Sequence, residues 1–556
     1  MKKLPIGISD YKKLIEGDYY YVDKTFLIKE LITIGGEVTL IPRPRRFGKT
    51  LNLSMLKYFF ECTQESNDHL FSHMNIWKDE CYQDYQGRYP VIFLTFKDVK
   101  VSNGEDAYKH IINVISDEFH RHAPAVLEKL SSYQRVQYEA ILAKSADNVA
   151  FERSLLFLTE VLYTCYKERV IVLLDEYDVP LHAAYMHGYY TNMLEFMRSL
   201  LTGVLKDNRY LERSVLTGIL ALAKSGIFTG LNNLNVFALT SVHLADKFGF
   251  TNEEIAKLFR DFALNGLYEN IRAWYNGYTF GQVTTLYNPW SVLKCAQNQG
   301  ALELYWVNTS DNVLLKRLIA RADKTTKAEL EDLLHGNPLV KEIEETITFS
   351  EIEQVPHALW SLLLFTGYLT YTHYELIKGK KVCSLIIPNE EVFHLYASLI
   401  KTIFVEAMIG NQAEDLLKAL IQGNTVVFQE LLQGFVLNSM SMYDLLASEP
   451  EKSYHLFVLG LLVMLSGAYK VKSNRESGFG RYDIMIIPRD THKRGIIIEF
   501  KKVYEPDNLE SAAQKALDQI HQKHYAQELR GQGIIDSIAY GIAFHGKRVL
   551  VKSEIL

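Results

Sequence analysis

Three short runs of this 556-residue sequence hold residue types that phosphate chemistry needs. The first is Arg45-Arg46-Phe47-Gly48-Lys49-Thr50, ahead of a helical pattern that begins at Leu51. Glycine lets the backbone approach a phosphate, and the N–H groups that open the helix face the anion. Lysine reaches the terminal phosphates, and the threonine hydroxyl can take a place on Mg²⁺. One position departs from the usual pattern: Arg43 stands where glycine is expected. The second run is Asp175-Glu176, at the end of the apolar stretch Val170–Leu174. A buried strand puts such carboxylates where open α/β sheets bind ligands. Asp175 is expected to hold Mg²⁺ and Glu176 to polarise an attacking water. The third comprises Asp483, Glu499 and Lys501, on two neighbouring apolar runs. Alternate strand residues share a face, so Glu499 and Lys501 project together, and in a hairpin Asp483 meets Glu499. Two carboxylates on Mg²⁺ with an ammonium beside a metal-bound water make a hydrolytic centre for phosphodiesters.

Strands must lie beneath these groups for them to meet. Glu37–Ile41, Pro90–Leu94, Val170–Leu174 and Ser214–Thr217 are near-continuous apolar runs, as parallel strands buried on both faces require. They alternate with helical patterns up to about residue 245, which predicts an α/β sheet domain. Thr217 would lie beside the acidic strand, placed to sense a γ-phosphate. Asp23-Lys24-Thr25 is expected to cap the next helix. Residues 250–320 read as helical, and the aromatic stretch Trp274–Phe280 reads as core or lid packing in preference to a platform for a nucleobase or a nucleic-acid strand. Residues 321–445 stay helical except for a hairpin pattern at Gly367–Thr372 and Val382–Pro388, which predicts a winged-helix-like module. From about residue 446 the order helix, strand, strand, helix, strand marks a second α/β domain, with Asp483 opening its first strand. The expected domains are 1–248, 249–320, 321–445 and 446–556.

Composition narrows the class. Apolar residues at 48% and charged residues at 23% describe an ordinary globular chain, long enough for several domains. The basic start has no apolar run behind it, against a secretory signal. No run reaches the length of a membrane helix; Ile219–Ala223 and Phe457–Leu465 are too short. Five dispersed cysteines without a C-x-x-C pair argue against disulfides and structural zinc, and for a reducing cytoplasm. The net charge is −6, yet residues 451–556 hold 16 Lys and Arg against 12 Asp and Glu, so the body before them carries −10. A weakly basic C-terminal end permits contact with nucleic acid without requiring it.

The runs R-P-R-R-F-G-K-T, L-L-D-E-Y-D-x-P and T-G-I-L-x-x-A-K-x-x-I-F-T-G-L-N-N, with W-Y-N-G-Y-x-F and Y-N-P-W-S-V-L, together resemble the bacterial AAA-ATPase-like family. In that family arginine is usual at the position of Arg43. Ala221 stands where many relatives have a basic residue, with Lys224 nearby. Members carry a C-terminal domain of the PD-(D/E)XK nuclease superfamily, and G-R-x-D at 480–483 with E-x-K at 499–501 fits its core. Gln519 and Tyr525 resemble the helix that RecB-like nucleases place over the site, at a different spacing. Glu451 and His455, on the first helix of that domain, are further candidates for the metal. The resemblance implies a P-loop NTPase sheet, a helical lid, a winged-helix-like middle and a restriction-endonuclease-like α/β domain. It also implies ATP and Mg²⁺ as cofactors, ATP hydrolysis, and DNA (with RNA as the alternative) as the nucleic acid cut. The rival reading is a nucleotide-switched binding or signalling protein whose nuclease-like domain does not cleave.

Overall fold

Short apolar runs bounded by turn residues become strands wherever neighbours can cover both faces. The computed structural model describes residues 2–222, 226–228, 231–306, 315–316, 318–319, 322–346, 348, 356–406, 412–443, 457–461, 463–477, 480–503 and 508–556. The chain divides into two compact units, Met1–Trp306 with Pro338–Glu391, and Val307–Asn337 with Val392–Leu556. Lys224, Glu451 and His455 lie outside the described residues.

In the first unit, β1 (Val38–Pro42), β2 (Val91–Thr95), β3 (Val170–Asp175), β4 (Leu211–Gly218) and β5 (Leu234–Val236) form a parallel sheet in the order β2-β3-β4-β1-β5. Four of the five are the strands that the apolar runs predict. The fifth is only three residues long and has no run to announce it. β4 separates β1, which leads into the phosphate loop, from β3, which ends on the acidic pair. Gly48 has φ +86°, a left-handed conformation suited to glycine, and starts the helix Lys49–Phe60.

The aromatic segment closes the helix Tyr268–Tyr275 and enters a hairpin of β6 (Tyr278–Phe280) and β7 (Val283–Leu286). The later hairpin is present as β9 (Thr370–Ile377) and β10 (Lys380–Ile386), and β8 (Leu339–Ile343) joins it as an unforeseen third antiparallel strand. Thr25, directly before the helix, makes no side-chain cap bond, but the Asp23 carboxylate accepts the Thr25 N–H at 2.9 Å at the helix start. Asp23 also accepts from the Thr25 hydroxyl (2.6 Å) and the Asn75 N–H (2.7 Å), while Lys24 pairs with Glu254 at 2.7 Å. The segment is a tie between distant parts of the chain, which a local pattern cannot reveal.

The second unit holds a mixed sheet, β11 (Tyr469–Ser477), β12 (Gly480–Pro488), β13 (Gly495–Lys502), β14 (Ser537–His545) and β15 (Arg548–Ile555), paired in that order. Only β13 and β14 are parallel, and the helix Leu509–Gln522 makes the crossover between them. Five strands replace the expected three. The two missed strands, β11 and β15, sit at the sheet edges and mix lysine, serine and glutamate into the pattern. Asp483 is the fourth residue of β12 and not its first.

The crossover helix rests on Gly541, which is paired with Glu499 across β13 and β14. A Cβ at Gly541 would lie 2.2 Å from the backbone oxygen of Ala513. Gly541→Ala must therefore push the helix off the sheet. We expect a loss of about 1–3 kcal/mol, read as a melting temperature several degrees lower in calorimetry of the full chain. An unchanged melting temperature would show that this approach does not hold the helix.

Candidate active sites

The phosphate loop is seated by residues on either side of it. Arg43 is fully buried and donates to the carbonyls of Pro42 (2.8 Å), Phe237 (2.7 Å) and Leu244 (3.3 Å). Burial pushes its guanidinium down to about 9. The Phe47 ring packs edge-on to Tyr278 at 5.0 Å and against Phe280 at 5.1 Å, so the stretch Trp274–Phe280 packs on the loop. Arg46 is exposed, has φ +66°, and stacks over the Trp290 ring at 4.3 Å. Arg45 is half-buried, and burial lowers its pKa against the pull of Tyr368, Glu176 and Asp178. Lys49 is buried, and its ammonium donates to the carbonyls of Arg43 and Pro44, both at 3.0 Å.

Opposite the loop, the Asp175 carboxylate is fully buried and collects three hydroxyls. They come from Thr50 at 2.8 Å, Thr217 at 2.9 Å and Thr95 at 3.1 Å. Burial raises the pKa of this carboxyl and Glu176 adds to the rise, while Thr50, Thr217 and Lys49 oppose it. Glu176 follows with φ +52°, a conformation that costs a non-glycine residue about 1 kcal/mol or more. Gly48, Lys49, Thr50, Asp175, Glu176 and Thr217 are thus brought to one end of the parallel sheet. A cradle of helix N–H groups with an ammonium, a hydroxyl and two carboxylates can bind a nucleoside triphosphate with Mg²⁺. Sequence reasoning gave no role to Thr95, or to Tyr177 and Asp178 beyond the acidic pair.

In the second unit, β12 and β13 run antiparallel, with Ile484 opposite Ile498. The Asp483 carboxylate accepts the Phe500 N–H at 2.7 Å, which places it beside Glu499. Glu499 is 3% exposed. One of its oxygens, Oε1, accepts from Lys501 Nζ at 3.3 Å and from the Gln519 amide. Lys501 also donates to Gln519 Oε1 at 2.6 Å, and the Tyr525 hydroxyl is bonded to Gln519 as well. Gln519 therefore joins Asp483, Glu499 and Lys501. The second oxygen, Glu499 Oε2, is buried and has no hydrogen-bond partner among the described residues. Burial, then the charge of Asp483, pushes the Glu499 carboxyl up to about 7, with Lys501 opposing. An unpaired buried carboxylate oxygen beside a second carboxylate fits an oxygen-binding divalent cation such as Mg²⁺. Among the described residues no group of three or more His, Cys, Asp or Glu gathers as a ready-made metal cage.

Residues 5–228 match the family model of the predicted AAA-ATPases, and residues 449–554 match that of the PD-(D/E)XK nuclease superfamily. The chain joins a predicted AAA-ATPase domain to a PD-(D/E)XK nuclease superfamily domain. It is 27% identical over 551 residues to an uncharacterized protein in the vnfD 5′ region of Azotobacter chroococcum mcd 1, spanning 96% of this chain and 94% of that one. No solved structure matches it. Among the described residues no helix is long and apolar enough to cross a membrane.

The Glu499 carboxyl yields a stability test. Its pKa is raised on folding, from the ordinary 4.5 to about 7. The protonated form therefore stabilises the fold fully below about 4.5, and this contribution is lost as pH rises through 7. In metal-free thermal unfolding, Glu499→Gln is expected to be more stable than the parent at pH 8 and nearly equal to it at pH 5. A parent that gains on the variant as pH rises would contradict this reading of the site.

Proposed function

We propose that ATP bound at the phosphate loop controls a Mg²⁺-dependent nuclease activity of the C-terminal domain, with DNA as the substrate. The observation that carries the nuclease reading is the buried, unpaired Glu499 Oε2 beside Asp483. The two family matches support the pairing of a nucleotide-binding domain with a nuclease-type one.

In the first domain, the N–H groups after Gly48 and the Lys49 ammonium would hold the β- and γ-phosphates. Lys49 would exchange the loop carbonyls for phosphate oxygens, a stronger, charge-assisted contact. Thr50 and Asp175 would hold Mg²⁺, Thr217 would sense the γ-phosphate, and Glu176 would orient and deprotonate the attacking water. In the second domain, Asp483 and Glu499 would hold a divalent ion, which supplies an acidified water and a positive charge beside the phosphodiester. Lys501 is anchored by Glu499 and Gln519, so its ammonium would meet the charge that develops on the phosphate oxygens without first being ordered. Gln519 bonds both groups and would fix their separation.

Purified full-length protein should be incubated with linear DNA, circular DNA and RNA, with Mg²⁺ or Mn²⁺, with and without ATP. Metal-dependent cutting of DNA is expected, with Glu499→Ala slower by about two to three orders of magnitude. The response of cutting to ATP should disappear in Lys49→Ala. Intact ATP turnover with no cutting of any substrate would sink the nuclease reading and leave a nucleotide-switched binding protein.

A further inference from the structure

Two residues of the Asp175-Glu176-Tyr177-Asp178 run take no part in the chemistry above, yet both are buried, with Tyr177 at 0% and Asp178 at 4% exposure. The Tyr177 hydroxyl and Asp178 Oδ2 turn to one place, the segment that leaves β4, while Asp178 Oδ1 is buried without a hydrogen-bond partner among the described residues. Asp178 Oδ2 accepts the N–H groups of Ile219 at 2.8 Å and Leu220 at 3.0 Å. The Tyr177 hydroxyl donates to the Leu220 carbonyl at 2.7 Å and accepts the Leu222 N–H at 3.1 Å. The Tyr177 N–H donates to the Thr217 carbonyl at 3.2 Å. Gly218 has no room for a side chain, since a Cβ there would lie 2.5 Å from Asp178 Oδ1 and 2.9 Å from the Tyr177 ring.

The same segment is tied on its other side to the phosphate loop. The Gly218 carbonyl accepts the Arg43 N–H at 3.0 Å, and the Thr217 hydroxyl donates to Asp175. Residues 217–222 are therefore gripped between the loop that would hold the phosphates and the acidic run. Asp178 also lies close enough to Lys49 and Arg45 for their charges to act on it. Buried groups bonded only to backbone are poor candidates for meeting substrate and good ones for fixing geometry.

We infer that Tyr177 and Asp178 are positioning residues for ATP hydrolysis, clamping the segment after β4 so that Thr217 keeps the Asp175 carboxylate aligned with the phosphate loop. The inference rests on the ATPase reading above. A clamp of this kind serves turnover more than binding, because the phosphate cradle of Gly48, Lys49 and Thr50 lies on β1 and its helix. A misplacement of about 1 Å can cost about a hundredfold in rate.

The test uses full-length Asp178→Ala, Tyr177→Phe, Thr217→Ala and the Asp178→Ala/Thr217→Ala double variant. ATP affinity is read by equilibrium binding of a fluorescent ATP analogue, and kcat by phosphate release. Asp178→Ala is expected to lose about tenfold to a hundredfold in kcat, with affinity within about threefold of the parent. The double variant should lose no more than the worse single one, because both would act on Asp175 along one path. Tyr177→Phe removes one oxygen and keeps the ring, so it carries the test if Asp178→Ala fails to fold; it should lower kcat and leave affinity unchanged. Parental kcat in either variant, or losses that multiply in the double variant, would overturn the inference and leave the ATPase reading standing. Absence of turnover in the parent protein would overturn both.

Discussion

Four segments of the first unit meet at the Asp175 carboxylate. Thr50 opens the helix after the phosphate loop, Thr95 ends β2, Thr217 lies near the end of β4, and Asp175 itself ends β3. A fully buried carboxylate costs several kcal/mol to desolvate. Hydrogen bonds to a charged acceptor return about 1.5–3 kcal/mol each, so three hydroxyls offset much of that cost without cancelling it, and the pKa of the carboxyl stays raised. The geometry follows from that balance. None of the three threonines can move away without leaving the charge short of a donor, and the spacing between loop and acidic strand is thereby fixed across the intervening β4. The strain at Glu176 fits the same frame, because the chain must turn sharply once Asp175 has been placed.

The second unit treats a buried carboxylate differently. Glu499 accepts from Lys501 and Gln519 on one oxygen, and its other oxygen has no hydrogen-bond partner among the described residues. Its neighbour Asp483 spends an oxygen on the Phe500 N–H, which pins the carboxylate to the strand that bears Glu499. Two carboxylates so placed repel each other, and that repulsion adds to burial in raising the Glu499 pKa. The asymmetry separates the two sites physically. At Asp175 three hydroxyls are shared over both oxygens and offset part of the cost of burial, whereas at Glu499 one oxygen is left for a proton or a cation. Access to that arrangement depends on backbone as much as on side chains, since Gly541 lets the helix that carries Gln519 approach close to the strand beside Glu499.

Much of this was legible because a few elements obey one rule at a time. β1 and β3 lie between parallel partners and β2 pairs with β3 along one edge, all three with buried faces, so their apolar runs are continuous and their ends fall within a residue of expectation. Glu499 and Lys501 could be placed together because strand periodicity is fixed by geometry. Gln519 was harder: a helix phase can be read, but the distance from helix to strand is set by Gly541, on a strand more than twenty residues later. β11 and β15 were missed because edge strands tolerate lysine and serine that a central strand would exclude. At Asp23 to Thr25 the local bond to the helix start is legible, but the ties to Asn75 and Glu254 are not, because those partners lie far along the chain. Asp178 carries no signal in the sequence, because its bonds exist only once β4 has been laid beside β3.

Arg43 shows how a departure from a motif can be structural rather than degenerate. The motif places glycine there to let the backbone come near phosphate. Here the guanidinium turns inward, spans carbonyls from β1 and from the segment after β5, and sits over the rings of Phe248 at 5.2 Å and Phe280 at 5.4 Å. Among the described residues no carboxylate pairs with it, so carbonyl dipoles and aromatic faces carry the charge. Even lowered to about 9, its pKa leaves it cationic at neutral pH. A lysine would keep the charge but lose the planar fork that reaches several carbonyls at once. The start of the loop is thus nailed to the sheet, and the freedom needed to wrap a phosphate is confined to Arg46 and Gly48, the two residues of the loop with positive φ. Anchorage at one end and backbone freedom at the other are separable requirements, and this sequence meets the first with a side chain where the usual motif has none.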